Sequence, residues 1–193
     1  IATSPGRSGF GPALSLGYDS GAGNGPFGLG WRLSLPSITR KTDKGIPQYR
    51  DAIESDTFIL AGAEDLVREL DAAGELPEPR TLRVHGREYR IRTYYPRVEG
   101  GFSLIERWME EGAPSNTFWR TITRDNVTCW YGKSPDSRIR DPEDLACIFE
   151  WLPCEQSIWV NEGTDAVYSG IARSAVVGRL AVTPRFLKTN SRT

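Results

Sequence analysis

Few residues in this chain have the types and spacing that chemistry needs, and each has a plainer reading beside it. Gly23, Gly25 and Gly28 keep the spacing of a GxGxxG dinucleotide fingerprint. That fingerprint works only where a helix opens at the third glycine and sets its N-terminus under a pyrophosphate. Here the continuation LGWRLSLPSI alternates apolar and polar residues and carries a proline, so a strand is expected and dinucleotide binding is not. His85 is the only histidine. A Ser-His-Asp or Cys-His site would have to use it, yet it stands in the polar, strand-like LRVHGREYRI, far from any nucleophile motif, and reads as a surface or edge residue. Cys129, Cys147 and Cys154 form an odd set without a CxxC pair, expected as reduced and mostly packed thiols. Together with His85 their spacings match no ordinary zinc pattern. Glu64 and Asp65 read as solvated turn charges, since nothing in the sequence places them in a shared cleft. The expectation is therefore no catalytic residue, no cofactor-binding residue and no metal ligand.

The elements that would have to position any site read as β throughout. Leu14, Leu16 and Tyr18, then Leu29, Trp31, Leu33 and Leu35, recur at the two-residue period of half-buried strands. Between them lies a glycine-rich loop able to turn sharply where a Cβ would clash. Trp31 is expected to anchor the inward face of the second strand, with Trp31→Ala costing about 3 to 5 kcal/mol. Residues 56–60 form a short extended candidate, AGAEDLVREL is compatible with a helical turn or a strand, and residues 71–79 read as an exposed acidic loop. Residues 89–95, 102–109, 117–123 and 127–131 are rich in aromatic and β-branched types and are separated by turn chemistry, the pattern of an antiparallel meander. A short turn at Asp125 and Asn126 is expected to join the strand of Trp119 to that of Trp130.

Composition excludes several function classes. With 38% hydrophobic residues, six Trp, seven Tyr and seven Phe in 193 residues, the chain has enough apolar mass for a folded, aromatic-rich core. Twenty glycines and thirteen prolines favour many turns. The 24 basic and 25 acidic residues are mixed along the chain, leaving a formal net charge of −1, so nucleic acid is not an expected partner. No run approaches the 18 or so apolar residues of a membrane-spanning helix. The chain opens on Ile1 rather than Met, so a processed chain or, in preference, a segment cut from a longer reading frame is expected, and no secretory signal can be read in these residues.

Three blocks are specific enough to carry a resemblance: SGAGNGPFGLGWRLSLPSITRKTDKGIPQY, DTFILAGAEDLV and FWRTITRDNVTCWYGKSPDSRIRDP. In this order they resemble the N-terminal domain of the Salmonella virulence plasmid B protein family, the SpvB-like domain, which also opens the B component of insecticidal Tc toxin complexes. The resemblance covers roughly residues 1–155 and implies a mostly β fold: antiparallel strands and hairpins forming part of a larger β-shell, with long Gly-rich loops. Residues 156–193 do not follow the family pattern and are expected as a divergent tail. In that family the shell encloses a toxic enzyme together with a C-type Rhs-repeat component, and an A-type pore-forming component delivers it. In the plasmid virulence protein the similar domain precedes a separate ADP-ribosyltransferase that modifies actin. The Glu-x-Glu loop of such transferases has no counterpart here, because Glu110 and Glu111 are adjacent and the Ser-Thr-Ser strand is missing. The Asn126-Val127-Thr128 sequon carries no weight in a bacterial product.

Two function classes follow. The first is a structural, encapsulating module without catalysis of its own. Its partners would be the remainder of its own polypeptide and the companion toxin subunits, and it would be secreted within a toxin complex and cytoplasmic before export. The second is an independent glycan- or host-protein-binding module using exposed aromatics such as Trp108, Trp119 and Trp130.

Overall fold

The structure is a computed structural model that describes residues 15–21, 23–25, 27–62, 64–98, 103–158, 166–169, 172–173 and 180–181. Leu14 and Phe102, and most of the tail expected at 156–193, lie outside the described residues. The fold is mostly antiparallel β, as the sequence leads one to expect, with a curled main sheet.

The glycine-rich N-terminal segment makes small sheets of its own. β1 (Ser15–Tyr18) pairs with β4 (Trp31–Ser34), and β2 (Asn24–Gly25) pairs with β3 (Gly28–Leu29) between them. A positive φ of 75° at Gly30 lets the chain pass under Tyr18, whose ring atom Cε2 would lie 2.6 Å from any added Cβ. Only glycine fits there without displacement.

The main sheet begins with β5 (Ile38–Arg40), β6 (Phe58–Leu60) and β7 (Glu64–Arg68). It continues through β8 (Arg80–Val84), β9 (Arg87–Pro96), β10 (Leu104–Glu110), β11 (Thr117–Ile122) and β12 (Val127–Tyr131). β13 (Arg138–Arg140), β14 (Ile148–Trp151), β15 (Pro153–Ile158) and β16 (Ala166–Ser169) complete it. A further pair, β17 (Ala172–Arg173) with β18 (Leu180–Ala181), stands apart. The AGAEDLVREL stretch resolves as strand β7, so Glu64 and Asp65 are strand residues rather than turn charges; Asp65 pairs with Lys41 at 2.7 Å. Residues 123–127 turn tightly between β11 and β12, with Asn126 at φ 58°, where the sequence places the turn.

Two interruptions explain how a meander becomes a closed wall. β7 and β8 both pair with the same edge of β9, β7 opposite residues 94–96 and β8 opposite residues 87–91. They are one strand line with residues 69–79 looped out between them. Likewise β12 and β13 lie along one edge of the line formed by β14 and β15, where Trp151 faces Arg138 and Pro153 faces Tyr131. β14 also pairs with β5 through Glu150↔Thr39 and Trp151↔Ile38. A single line, interrupted only at Leu152, therefore bonds to β12 on one side and β5 on the other and closes the circuit.

The core confirms the closure. Phe58 on β6 and Trp119 on β11 are separated by β7, β9 and β10 in strand order, a lateral gap of about 19 Å in a flat sheet. Their rings are 4.9 Å apart. Ile38, Phe58, Leu66, Tyr94, Ile105, Trp119, Tyr131, Ile148 and Trp151 form one buried cluster, supplied by strands all round the circuit. On the outer face Tyr89, Ile91, Trp108 and Phe118 make a second cluster, with Val84 and Trp130 packed on it. Alternation within each strand divides the two: Trp119 and Arg107 face each other across β10 and β11 on the inside, Trp108 and Phe118 on the outside.

Trp31 corrects the sequence reading. It is 44% exposed and stacks edge-on against Tyr18 at 5.4 Å, so it belongs to the separate β1–β4 sheet and not to the core. Period-two alternation marks which residues share a face, but it does not say which face is covered.

Candidate functional site

The concentration of buried charge lies inside the strand circuit. Arg40, the last residue of β5, and Arg107, on the inward face of β10, both have fully buried side chains. Residues 41–57, which join β5 to β6 and include the short 3-10 turn Asp51–Ile53, bring Asp51 and Asp56 to them and Glu54 to Arg92 and Arg68. Arg40 donates from Nε to the Ile148 carbonyl at 2.7 Å, from Nη1 to Asp56 at 2.6 Å and from Nη2 to Asp51 at 2.9 Å. Arg107 Nη2 is ion-paired with Asp51 at 2.5 Å, while its Nε and Nη1 have no hydrogen-bond partner among the described residues. Its guanidinium lies over the Phe58 ring at 4.7 Å and near Trp119 at 5.8 Å, a position the ring faces favour. Glu54 is ion-paired with Arg92 at 2.5 Å and accepts from Arg68 at 3.3 Å and from the Tyr94 hydroxyl at 3.5 Å.

The electrostatics follow from this packing. Burial pushes the Asp51 carboxyl up, but the Arg107 and Arg40 guanidinia outweigh it and hold the group below its ordinary value. For Asp56 burial again opposes ionisation, and the Gln48 and Tyr49 amides together with Arg40 prevail. Tyr94 is raised, chiefly by burial. Asp51 and Asp56 are thereby held in the ionised state against the two guanidinia, an arrangement that orders the segment carrying them.

A second charged layer coats the outer aromatic cluster. Glu106, nearly buried, accepts Arg120 Nε at 2.7 Å, Arg80 Nη2 at 2.9 Å and Trp108 Nε1 at 3.0 Å. Arg120 lies over both Trp108 and Trp130, at 5.1 and 5.4 Å, and Lys133 covers Trp130 at 4.6 Å. Nearby, Arg138 donates to the carbonyls of Gly132 and Ser115 and to Asn116 Oδ1, and desolvation lowers its pKa to about 10. It works as a fixed clamp between two stretches of chain, residues 115–116 and 132–133.

The residues singled out in the sequence are scattered by the fold. Gly23, Gly25 and Gly28 lie in the β2–β3 hairpin, and Gly28 opens a strand where a dinucleotide fingerprint needs a helix. His85 is exposed at the tip of the two-residue turn between β8 and β9, where it and Gly86 have φ of 48° and 79°. The three cysteines are free; Cys129 is buried and its thiol is pushed up to about 12 by desolvation, far from a reactive thiolate. Among the described residues no group of three or more His, Cys, Asp and Glu is placed to hold a metal ion. Glu110 accepts Arg87 and Asn116, and Glu111 accepts Arg90.

The exposure expected of Trp108, Trp119 and Trp130 is corrected. Trp119 is fully buried in the interior and Trp108 is 5% exposed beneath Arg120, so neither is free to stack on a sugar, and Trp130 is half-buried under Arg120 and Lys133. The sequence missed the Arg40–Arg107–Asp51 cluster. These residues are spread over three segments, and no local spacing brings them together.

Comparison with known proteins agrees with the fold. The family model described as Salmonella virulence plasmid 65kDa B protein matches residues 1–172. The mono(ADP-ribosyl)transferase SpvB of Salmonella typhimurium (strain 14028s / SGSC 2262) is 36% identical over 171 residues, and SpvB of Salmonella dublin is equally similar. The match takes in 86% of this chain but spans 28% of the length of those relatives. Among solved structures, the N-terminal domain of effector protein SpvB from Salmonella typhimurium strain LT2 superposes with a TM-score of 0.68 at 27% identity, covering 95% of this chain and 70% of that one. The structure of TcdB2-TccC3-Cdc42 gives a TM-score of 0.69 at 34% identity over 80% of this chain and 7% of that one. The Photorhabdus luminescens Tc holotoxin pore gives 0.66 at 33% identity, over 78% and 7%. A family match along most of the chain, relatives at 36% identity and the same β architecture lead to one assignment: this chain belongs to the Salmonella virulence plasmid 65kDa B protein family.

Proposed function

We propose that this chain is a structural module of a bacterial toxin component, contributing wall to the shell that houses or scaffolds a separate effector, with no catalysis of its own. One observation supports the reading above others: the strand circuit is filled. Phe58, Tyr94, Trp119 and Trp151 meet at ring-centroid distances of 4.9 to 6.0 Å, and beside them Asp51 is paired with both Arg40 and Arg107. An interior filled by interlocking rings in this way would stiffen a wall. In this reading the transferase activity in the relatives' name belongs to parts of those proteins that this chain does not match. The partners are the rest of its own polypeptide, a C-type Rhs-repeat component and an A-type pore-forming component, and the assembly is exported from the cytoplasm and acts outside the cell.

The test is assembly. The polypeptide bearing this domain, co-expressed with a C-type companion, is expected to elute as one complex whose effector resists protease. An effector cleaved as fast as the free enzyme, or transfer of labelled ADP-ribose by this chain alone, would overturn the proposal.

A further inference from the structure

The segment joining β5 to β6 is far longer than two adjacent antiparallel strands need, since a two-residue turn suffices for such a connection. It is also built inside out. Asp51, Glu54 and Asp56 point to the interior arginines, while Ile46 and Ile53 are 90% and 69% exposed. Its backbone bonds run within itself: Gly45 to Thr42, Ile53 and Ser55 to Arg50, Glu54 to Asp51, and Lys41 to Thr57 across its base. The Gln48 and Tyr49 amides are held by the Asp56 carboxylate. Tyr49 and Glu54 sit at φ 57° and 50°, left-handed conformations that a residue with a Cβ adopts at a cost and keeps only where its surroundings impose them. The aromatic core, by contrast, is contributed by the strands alone.

We propose that residues 41–57 are a charge-latched strap, closed over the interior by Asp51 on Arg40 and Arg107, that lifts as a unit while the strand circuit stays intact. Ion pairing holds it down, strain and two exposed isoleucines favour its release, and no sheet ladder ties it to the wall. Opening uncovers the two guanidinia and frees the strap to settle elsewhere. The elements best suited to move are those with few apolar contacts and self-contained hydrogen bonds, and this segment has both properties.

Native-state hydrogen exchange of the full chain in rising urea tests it. The amides of Gln48, Tyr49, Ile53 and Glu54 are expected to share one opening reaction with a shallow urea dependence, distinct from the steep global unfolding reported by β10 and β11. Asp51→Asn weakens the closed state relative to both the lifted and the unfolded states, so exchange of those strap amides should speed at least about tenfold. Strap and core amides merging on a single steep isotherm in the wild type, or strap exchange left unchanged in Asp51→Asn, would show that the strap is not latched in this way and sink the proposal. The wild-type urea series decides the matter even if the variant does not fold.

Discussion

Trp119 and Trp31 are the same residue type on strands of similar alternation, and their surroundings separate them. Trp119 is fully buried and touches Phe58, Tyr94 and Trp151, whereas Trp31 is 44% exposed and meets the ring of Tyr18. Removing a buried indole loses its transfer energy and leaves a cavity. Trp119→Ala is expected to cost about 3 to 5 kcal/mol in urea unfolding. Trp31→Ala is expected to stay within about 1 kcal/mol, the range of a surface aromatic pair. Equal losses in both variants would mean that the β1–β4 sheet is covered by something that hides Trp31 in solution.

At the scale of the element, the strands fit together because their breaks are placed where the wall can tolerate them. The loop of residues 69–79 leaves the strand line formed by β7 and β8, and Asp71 organises its tip by accepting the Ala73 and Glu75 amides at 2.9 Å. The other break, between β12 and β13, depends on Gly132. Its φ is 67°, and a Cβ there would run into Cδ1, Cγ and Cβ of Trp151. That ring has nowhere to go, because it is buried and its Nε1 donates to the Thr117 carbonyl at 2.8 Å. Gly132→Ala is expected to cost about 3 kcal/mol or more through combined overpacking and backbone strain. Gly74→Ala, at φ 80° with open space around it, carries the backbone term alone and should lose about 1 to 2 kcal/mol. Thermal melts of the pair separate the two contributions.

For the whole molecule, the interior ion pairs link stability to pH. Asp51 and Asp56 are both held below their ordinary value of 3.8, so they contribute stability at any pH above that value. The contribution fades as pH falls through the lower values that they have in the fold. The urea midpoint of the wild type is therefore expected to hold between pH 7 and pH 5 and to fall below about pH 4. The double variant Asp51→Asn, Asp56→Asn should start lower at pH 7, because it leaves Arg40 and Arg107 buried without counter-charges, and decline less steeply in acid. Parallel acid declines in the two proteins would place the acid-sensitive groups elsewhere.

What was legible in the chain is what depends on neighbours in sequence. The strands over 89–95, 117–123 and 127–131, the exposed loop at 71–79 and the turn at Asp125 and Asn126 all follow from period, propensity and turn chemistry, which act over a few residues. The three blocks that match the family are local in the same sense. Tertiary structure alone decided that the β14–β15 line meets β5 on one side and β12 on the other, that Trp119 faces inward while Trp31 faces solvent, and that Arg40 and Arg107 share Asp51. Each of these is a contact between segments distant in the chain. Closing the sheet creates an inside, and only an inside gives one tryptophan a different energy from another.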